Sequence, residues 1–262
     1  ITSDGSGGAI IIWEDQRLGT KDLFSQKLDA SGNSLWTANG VSLCVATSWQ
    51  SGVDVIADGS GGAFAVWQDD RSTSVDIYAQ RVDGSGSTLW HTNGVTVCDF
   101  SGAQNGPHLV PDGDGGVIIA WEDYRNGHDD IYAQRLDADG NSLWATDGVT
   151  VCDAVSQQRN LQIVSDGVGG AVIAWEDNRT ASYNIYAQRI DGDGNGLWQD
   201  CGVLICGASN WQYDPQLVSD GYWGAVVAWE DYRDSTTTGW DVYAQRVGGV
   251  VEVSLPLVLR KY

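Results

Sequence analysis

The chain has 262 residues, with 14 basic and 35 acidic side chains and a formal net charge of −21. This charge makes nucleic acid and anionic membrane surfaces poor partners, because both require a basic protein surface. No stretch is long and apolar enough to cross a bilayer, so we expect no membrane insertion. A chain of this length can bury a sizeable core without metals or disulfides.

Five copies of the motif W-[EQ]-D-x-R recur at a spacing of 54 residues, beginning at Trp13, Trp67, Trp121, Trp175 and Trp229. Each copy contains short apolar runs separated by Gly and Asp turns, which is typical of a propeller blade. The repeat predicts an all-β fold, a five-bladed β-propeller of four-stranded antiparallel blades in a single domain. The predicted blades span about residues 1–49, 50–103, 104–157, 158–211 and 212–249.

The fourth repeat shows the predicted order of elements within a blade. Residues 161–165 form the first strand, and glycines in the turn at 166–170 supply positive φ angles. The apolar run 171–175 fits a middle strand that is buried on both faces. Residues 184–191 form the third strand, and residues 202–206 form the outer strand after a second Gly turn.

The two ends of the chain bear on how the propeller closes. Ile1 begins inside a repeat, so we expect the N-terminus to be a mature or truncated end. The tail 250–262 is rich in β-branched and apolar residues. We expect this tail to complete the ring by pairing next to the first unit.

Ten of the 14 basic residues occupy two repeated positions, represented by Arg125 and Arg135. Because repeated carboxylates such as Asp123 and Asp130 lie nearby in sequence, we interpret these cations as ion pairs that fix the hairpin. Four of the five cysteines also repeat, at Cys44, Cys98, Cys152 and Cys206. Equivalent positions on separate blades lie too far apart for a disulfide, so these four are expected to be buried apolar residues.

The fifth cysteine, Cys201, occupies a repeat position that holds Asn or Asp in other blades. A disulfide between Cys201 and Cys206 is disfavoured, because the chain between them is expected to be extended. No Cys or His spacing indicates a zinc site. The turns at 137–141 and 191–195 are rich in oxygen ligands, but they lack the bidentate Glu of a calcium loop. We therefore expect no cofactor, with structural calcium as an open alternative.

The string WEDYRNG at 121–127 followed by DIYAQRLD at 130–137 resembles the repeat of secreted bacterial β-propeller proteins. The turn at 137–144 is similar to the structural Asp-box turn of sialidase-like propellers. Five near-identical blades also resemble the tachylectin-2 type of propeller lectin in architecture. The tail 254–260 is similar to the C-terminal ends of some secreted bacterial proteins. These resemblances imply an extracellular, secreted or cell-surface location.

Most acidic residues belong to the repeat, and fivefold copies do not specify one pocket for the two carboxylates of a glycosidase. No nucleophile elbow, phosphate loop or HExxH motif occurs. From the sequence we therefore expect that the protein is not an enzyme, while an acid pair among residues such as Asp54, Asp129 and Asp214 stays open. Asp54 and His108 share one inner-strand position, together with Gln162 and Gln216.

Aromatic residues that depart from the repeat are the candidate ligand-binding residues. Trp211, Tyr213 and Trp240 are predicted to be neighbours at one rim, and Trp49 lies on the same loop-rich face. Flat rings pack against the C–H faces of sugars. Crossover-loop glutamines could supply an amide at each blade, namely Gln50, Gln104, Gln158 and Gln212. Alternatively, these glutamines bond to loop backbone and the tryptophans cover the ends of the core.

Three functions are compatible with these features. The sequence favours an extracellular, non-catalytic, lectin-like propeller that binds carbohydrate, with a glycan or an extracellular protein as its partner. The first alternative is a protein-interaction or cell-surface structural module, since propeller faces serve as platforms. The last is a glycoside hydrolase-like enzyme.

Overall fold

The computed structural model describes residues 1–233, 239–248 and 257–259. All regular elements in these ranges are β-strands, and none of the described residues forms a helix that could span a membrane. The strands form five four-stranded antiparallel sheets, each with its strands in chain order. The predicted fold is confirmed: the chain is a five-bladed β-propeller of four-stranded blades.

The strands recur in the same order in every blade. The first strands are Thr2–Ser3 (β1), Gln50–Ala57 (β5), Gln104–Pro111 (β9), Gln158–Ser165 (β13) and Gln212–Ser219 (β17). The second strands are Ala9–Asp15 (β2), Ala63–Asp69 (β6), Val117–Asp123 (β10), Ala171–Asp177 (β14) and Ala225–Asp231 (β18). The third strands are Asp22–Leu28 (β3), Asp76–Val82 (β7), Asp130–Leu136 (β11), Asn184–Ile190 (β15) and Asp241–Val247 (β19). The fourth strands are Val41–Cys44 (β4), Val95–Cys98 (β8), Val149–Cys152 (β12), Val203–Cys206 (β16) and Leu257–Leu259 (β20).

The turn between the first and second strands follows from an aspartate and a glycine. In the fourth blade, the Asp166 carboxylate accepts hydrogen bonds from the backbone N–H groups of Val168 and Gly170, at 2.9 and 2.8 Å. A Cβ on Gly170 would lie 2.2 Å from the Ile190 carbonyl oxygen, so only glycine fits there. The following strand, Ala171–Asp177, is buried along its whole length, and its first five residues form the apolar run that such burial favours.

The chain divides into two compact units. Unit 1 comprises residues 1–119 and 134–148, and unit 2 comprises residues 120–133 and 149–262. Unit 1 has a hydrophobic core that includes Ile10, Leu23 and Trp67. Unit 2 has a core that includes Ile185 and Trp229.

The expectation that the repeated cations form ion pairs is confirmed. Arg125 donates to Asp123 at 2.6 Å, and Trp121 Nε1 donates to the same carboxylate at 2.8 Å. At the second repeated position, Arg135 pairs with Asp112 at 2.8 Å. The other eight repeated cations are paired in the same two ways. These pairs connect a strand to the turn beside it, so the repeat's charged residues serve the fold.

The C-terminal tail is described over three residues only. Leu257–Leu259 pairs with β19 and is the fourth strand of the last blade, whereas the sequence predicted pairing next to the first unit. The rest of the tail, including residues 250–256, lies outside the described residues. Its role in closing the ring stays a prediction.

One cysteine prediction is wrong. Cys152 and Cys201 form a disulfide with a Cα–Cα distance of 4.3 Å, whereas Cys44, Cys98 and Cys206 form no disulfide and are buried as expected. Cys201 occupies the slot of Asn93, whose backbone oxygen lies 3.6 Å from Cys44 Sγ. This repeat position therefore faces the repeated cysteine of the preceding blade. A cysteine at this position, such as Cys201, can form a disulfide with it.

Candidate functional site

The candidate site begins at a bulge in the first strand of the blades. Strand register shifts between Arg159 and Gln162 in β13 and between Tyr213 and Gln216 in β17. One residue at each bulge adopts positive φ, and these residues are Gly52 (63°), Gly106 (55°), Asn160 (52°) and Asp214 (51°). Asn and Asp tolerate this conformation better than other side chains. The last two blades therefore carry a polar side chain where the earlier two carry none.

Three of the glutamates that follow a motif tryptophan, Glu14, Glu122 and Glu176, bind the bulge of the next blade. Glu14 Oε1 accepts a hydrogen bond from Gly52 N at 3.1 Å in unit 1. In unit 2, Glu176 Oε1 accepts one from Asp214 N at 2.9 Å. This repeated glutamate thus satisfies a backbone donor that the bulge removes from the sheet.

Asn160 connects three carboxylates within unit 2. Its backbone N–H donates to Glu122 Oε1 at 2.5 Å. Its side-chain Nδ2 donates to Glu176 Oε1 at 2.7 Å and to Asp214 Oδ1 at 2.8 Å. Arg159 Nε donates to the other Glu176 oxygen at 3.1 Å. The Asn160 amide and the Arg159 guanidinium therefore hold Glu176, and the Asn160 amide also orients Asp214.

These residues line a cavity of about 370 Å³ in unit 2, whose wall comprises Arg159, Asn160, Glu176, Tyr213, Asp214, Glu230 and Trp240. Glu176 is buried, whereas Asp214 and Glu230 are exposed. Within the described part of the chain, the Glu230 carboxylate has no hydrogen bond or ion pair. The cavity thus combines one fixed carboxylate, one oriented carboxylate and one that is free to meet a ligand.

Five aromatic side chains form a cluster beside the cavity, which we name the aromatic rim: Tyr183, Trp211, Tyr213, Tyr232 and Trp240. Tyr213 lies 6.3 Å from Trp211 and 5.7 Å from Trp240, measured between ring centroids. Trp211 is 47% exposed and Trp240 is 43% exposed. The predicted proximity of Trp211, Tyr213 and Trp240 is confirmed, and their role in ligand binding stays a prediction.

Burial raises the pKa values of two acids in unit 2, Glu122 and Asp129. Burial raises the pKa of Glu122 to about 7, and the hydrogen bond from Asn160 N only partly offsets this effect. Burial also raises the pKa of Asp129, although Arg159 acts in the opposite direction. Glu122 therefore holds a proton at a pH where an ordinary glutamate is ionised.

The repeated crossover glutamines do not form ligand sites. Gln50, Gln104, Gln158 and Gln212 are all 0% exposed. Their side-chain amides donate to carbonyl oxygens of their own loops, as Gln158 does to Ser156 at 3.2 Å. The expectation that they meet a ligand is corrected, because the alternative of bonding to loop backbone describes them.

Two further predicted groups lie in unit 1. Trp49 is 57% exposed, with Lys21 Nζ 5.9 Å from its ring centroid. His108 Nδ1 lies 3.0 Å from Asp54 Oδ2, so the shared inner-strand position brings these two side chains together.

The oxygen-rich turns are closed by their own hydrogen bonds. Asp137 Oδ1 accepts hydrogen bonds from the backbone N–H groups of Asp139 and Asn141, each at 2.9 Å. Asp191 binds its turn in the same way. No group of three metal-ligating side chains occurs among the residues that the structure describes. The interpretation as hairpin turns accounts for these aspartates.

Sequence reasoning missed most of the cavity. Glu176 and Glu230 are ordinary members of the repeated W-[EQ]-D motif, and Arg159 and Asn160 belong to no recognisable motif, so nothing in the sequence selected any of the four. The available signal was the bulge position, which changes from Gly52 and Gly106 to Asn and Asp in the later blades.

No protein-family model matches the sequence, and no curated protein matches it. Solved structures resemble the chain at low identity. An α-L-arabinofuranosidase from Clostridium thermocellum ATCC 27405 is 12% identical with a TM-score of 0.48, over 97% of this chain and 91% of that one. An endo-arabinase from Bacteroides thetaiotaomicron VPI-5482 is 13% identical with a TM-score of 0.44, over 99% and 91%. A thermostable family-43 glycoside hydrolase is 15% identical with a TM-score of 0.45, over 90% and 85%.

These similar structures are named as glycoside hydrolases. On this finding two sequence-based expectations are corrected, namely the non-catalytic, lectin-like function and the absence of enzymatic activity. At these identities the likeness concerns the fold. Any proposal of an activity for this chain therefore depends on the residues of the unit 2 cavity.

Proposed function

We propose that the protein is a glycoside hydrolase whose site is the unit 2 cavity. The observation that carries this proposal is the placement of two exposed carboxylates, Asp214 and Glu230, in one cavity with the aromatic side chains of Tyr213 and Trp240. Carboxyl pairs perform glycoside hydrolysis, and aromatic rings hold the sugar.

The two carboxylates have different surroundings, which suits two different roles. Asp214 is oriented by Asn160, so it is the candidate to act at the anomeric carbon, directly or through a water molecule. Glu230 is unengaged among the described residues, so it is the candidate for the second carboxylate of the pair. Glu176 lies behind them, held by Arg159, and is a positioning residue.

The similar structures suggest which polymers to test first. Arabinan corresponds to the endo-arabinase, and β-1,3-galactan and xylan correspond to two further similar structures, which are named as a putative exo-β-1,3-galactanase and an endo-1,4-β-xylanase. Release of reducing ends should be measured for the wild type and for Asp214→Asn and Glu230→Gln, and each substitution should lower the rate by about 10²–10⁴-fold.

The matched control is Glu14→Gln, because Glu14 holds the same repeat position as Glu230 but lies in unit 1 and pairs with Lys21. This variant should keep the wild-type rate. Equal rates for all three variants would contradict the assignment of the site.

We also propose that the protein works outside the cell, as the resemblance of its repeat to secreted bacterial propeller proteins implies. The Cys152–Cys201 disulfide supports this location, because disulfides persist in oxidising compartments. Protein purified from its natural compartment and denatured without reductant should present three free thiols. Five free thiols would contradict the proposal.

A further inference from the structure

The unit 2 cavity carries more negative charge than its one cation offsets. Glu176, Asp214 and Glu230 line it together with Arg159. Arg159 is already engaged, because its Nε donates to Glu176 and its guanidinium lies 4.2 Å from the ring centroid of Tyr183. No lysine or arginine in the described ranges pairs with Asp214 or Glu230.

We propose that this cavity binds a glycan that carries a protonated amine, such as an oligomer of unacetylated glucosamine. The inference rests on the proposed function for its choice of a glycan. An ammonium group would meet the carboxylates of Asp214 and Glu230, and a charge that leaves water requires such a partner. A uronic acid would bring a like charge to the same place.

The aromatic wall fits the same ligand in two ways. Tyr213 and Trp240 lie with ring planes 40° apart and centroids 5.7 Å apart, so they present two differently inclined faces to the cavity. One face can pack against the C–H groups of a sugar ring, and an aromatic face also attracts a cation. The site therefore matches both the ring and the charge of an amino sugar.

The pH dependence of binding distinguishes recognition of the ligand's charge from recognition of its shape, because the amine loses its charge as pH rises while the sugar ring stays the same. An amine of this kind loses its proton at roughly pH 8. Between about pH 6 and about pH 9, Glu122 gains negative charge because its pKa is about 7. That change alone would strengthen the binding of a cation. A fall in affinity over this interval therefore reports on the ligand's amine.

The test is calorimetric titration of the whole chain with glucosamine oligomers, N-acetylglucosamine oligomers of the same length, and spermidine. At about pH 6 we expect the glucosamine oligomer to bind at least about tenfold more tightly than the neutral oligomer, and we expect this preference to disappear at about pH 9. Spermidine should bind more weakly because it has no ring to pack against Trp240.

Three variants check the assignment of the site. Trp240→Ala should weaken both sugar ligands, whereas Asp214→Gly and Glu230→Gln should weaken only the amino sugar. Asp214→Gly restores the residue found at Gly52 and Gly106, so its fold should persist. Equal binding of the two oligomers, a preference independent of pH, or spermidine binding as tightly as the amino sugar would overturn the inference.

The result is independent of the hydrolysis assay. Hydrolysis of neutral polymers at this site, without preference for an amine, would overturn the inference and leave the proposed function intact. Amine-dependent binding without hydrolysis of any polymer would support the binding site and contradict the hydrolase.

Discussion

Asn160 Nδ2 donates a hydrogen bond to Asp214 Oδ1 at 2.8 Å, although the two residues occupy the same position in successive blades. Both have positive φ at a strand bulge, where Gly52 and Gly106 stand in earlier blades. Asn160 and Asp214, which both replace the glycine of earlier blades, are therefore joined by one hydrogen bond. This bond orients the exposed carboxylate on which the proposed chemistry depends.

Replacing Asn160 with glycine should separate orientation from folding. Asn160→Gly removes the donor to Glu176 and Asp214 but keeps the backbone conformation that Gly52 and Gly106 adopt. We expect kcat to fall by about 10–100-fold with a smaller change in KM, because orientation contributes in the transition state. Thermal unfolding should confirm that the variant is folded. An unchanged kcat would show that the hydrogen bond has no role in the reaction.

Glu122 should make the protein less stable as pH rises. Below about pH 4.5 its carboxyl is neutral in both the folded and the unfolded state, and above about pH 7 it is ionised in both, so the burial cost develops between these values. Glu122→Gln lacks this cost. The stability of the variant relative to the wild type should therefore rise across this window, by at most about 3 kcal/mol.

The measurement for Glu122 is urea unfolding of both proteins at about pH 5 and about pH 8. Other carboxyl groups titrate in both proteins, so they cancel in the difference. A difference in stability that stays constant with pH would contradict the raised pKa of this group.

The disulfide between Cys152 and Cys201 should stabilise the chain. It closes a loop with a sequence separation of 49 residues, for which the chain-entropy model gives about 4 kcal/mol. Cys201→Asp introduces the residue that the preceding blade carries at Asp147, and we expect a loss of about 2–4 kcal/mol in unfolding free energy. A reductant should destabilise the wild type by a similar amount and leave the variant unchanged. Equal sensitivity of both proteins to reductant would contradict this account.

Trp223 occupies a strained turn position that other blades fill with glycine. Its φ is 70°, and the corresponding glycines, Gly7, Gly61, Gly115 and Gly169, also have positive φ. Trp223 is 52% exposed, so little packing opposes its removal. Trp223→Gly should raise the unfolding free energy by about 1 kcal/mol, because a bulky residue pays for the left-handed conformation. The matched control is Tyr222→Ala, at the exposed neighbouring position, which should change the unfolding free energy little. A Trp223→Gly variant that is less stable than the wild type would contradict the backbone strain at this position.

The repeat allowed the fold to be predicted because five copies of one motif carry the same strand and turn signals. Its charged residues could likewise be assigned to ion pairs such as Arg125 with Asp123. The cavity could not be predicted, because it depends on which residues of different blades meet in space. Glu176 and Glu14 occupy the same position of the repeat, and each accepts a hydrogen bond from the backbone of the next bulge, yet of the two only Glu176 also contacts a polar bulge side chain, that of Asn160.

The aromatic rim was predictable for a different reason. Trp211 and Trp240 lie in loops and Tyr213 lies at the start of β17, at positions where most other blades have no aromatic residue, although Trp49 stands at the repeat position of Trp211. These differences between the blades indicated where the cluster lies. The glutamines were misleading because their repetition resembled a set of equal sites. Their role is internal, since each amide donates to its own loop, as Gln158 does to Ser156.

The most direct test of the central claim is the rate of polysaccharide hydrolysis by the wild type and by Asp214→Gly. The substituted position keeps the bulge conformation of Gly52, so the comparison removes one carboxylate with little change to the backbone. We predict measurable release of reducing ends by the wild type and a loss of about 10²–10⁴-fold in the variant, with unchanged thermal unfolding. Equal rates for the two folded proteins, or no hydrolysis of any polymer by the wild type, would contradict the assignment of the unit 2 cavity as a glycosidase site.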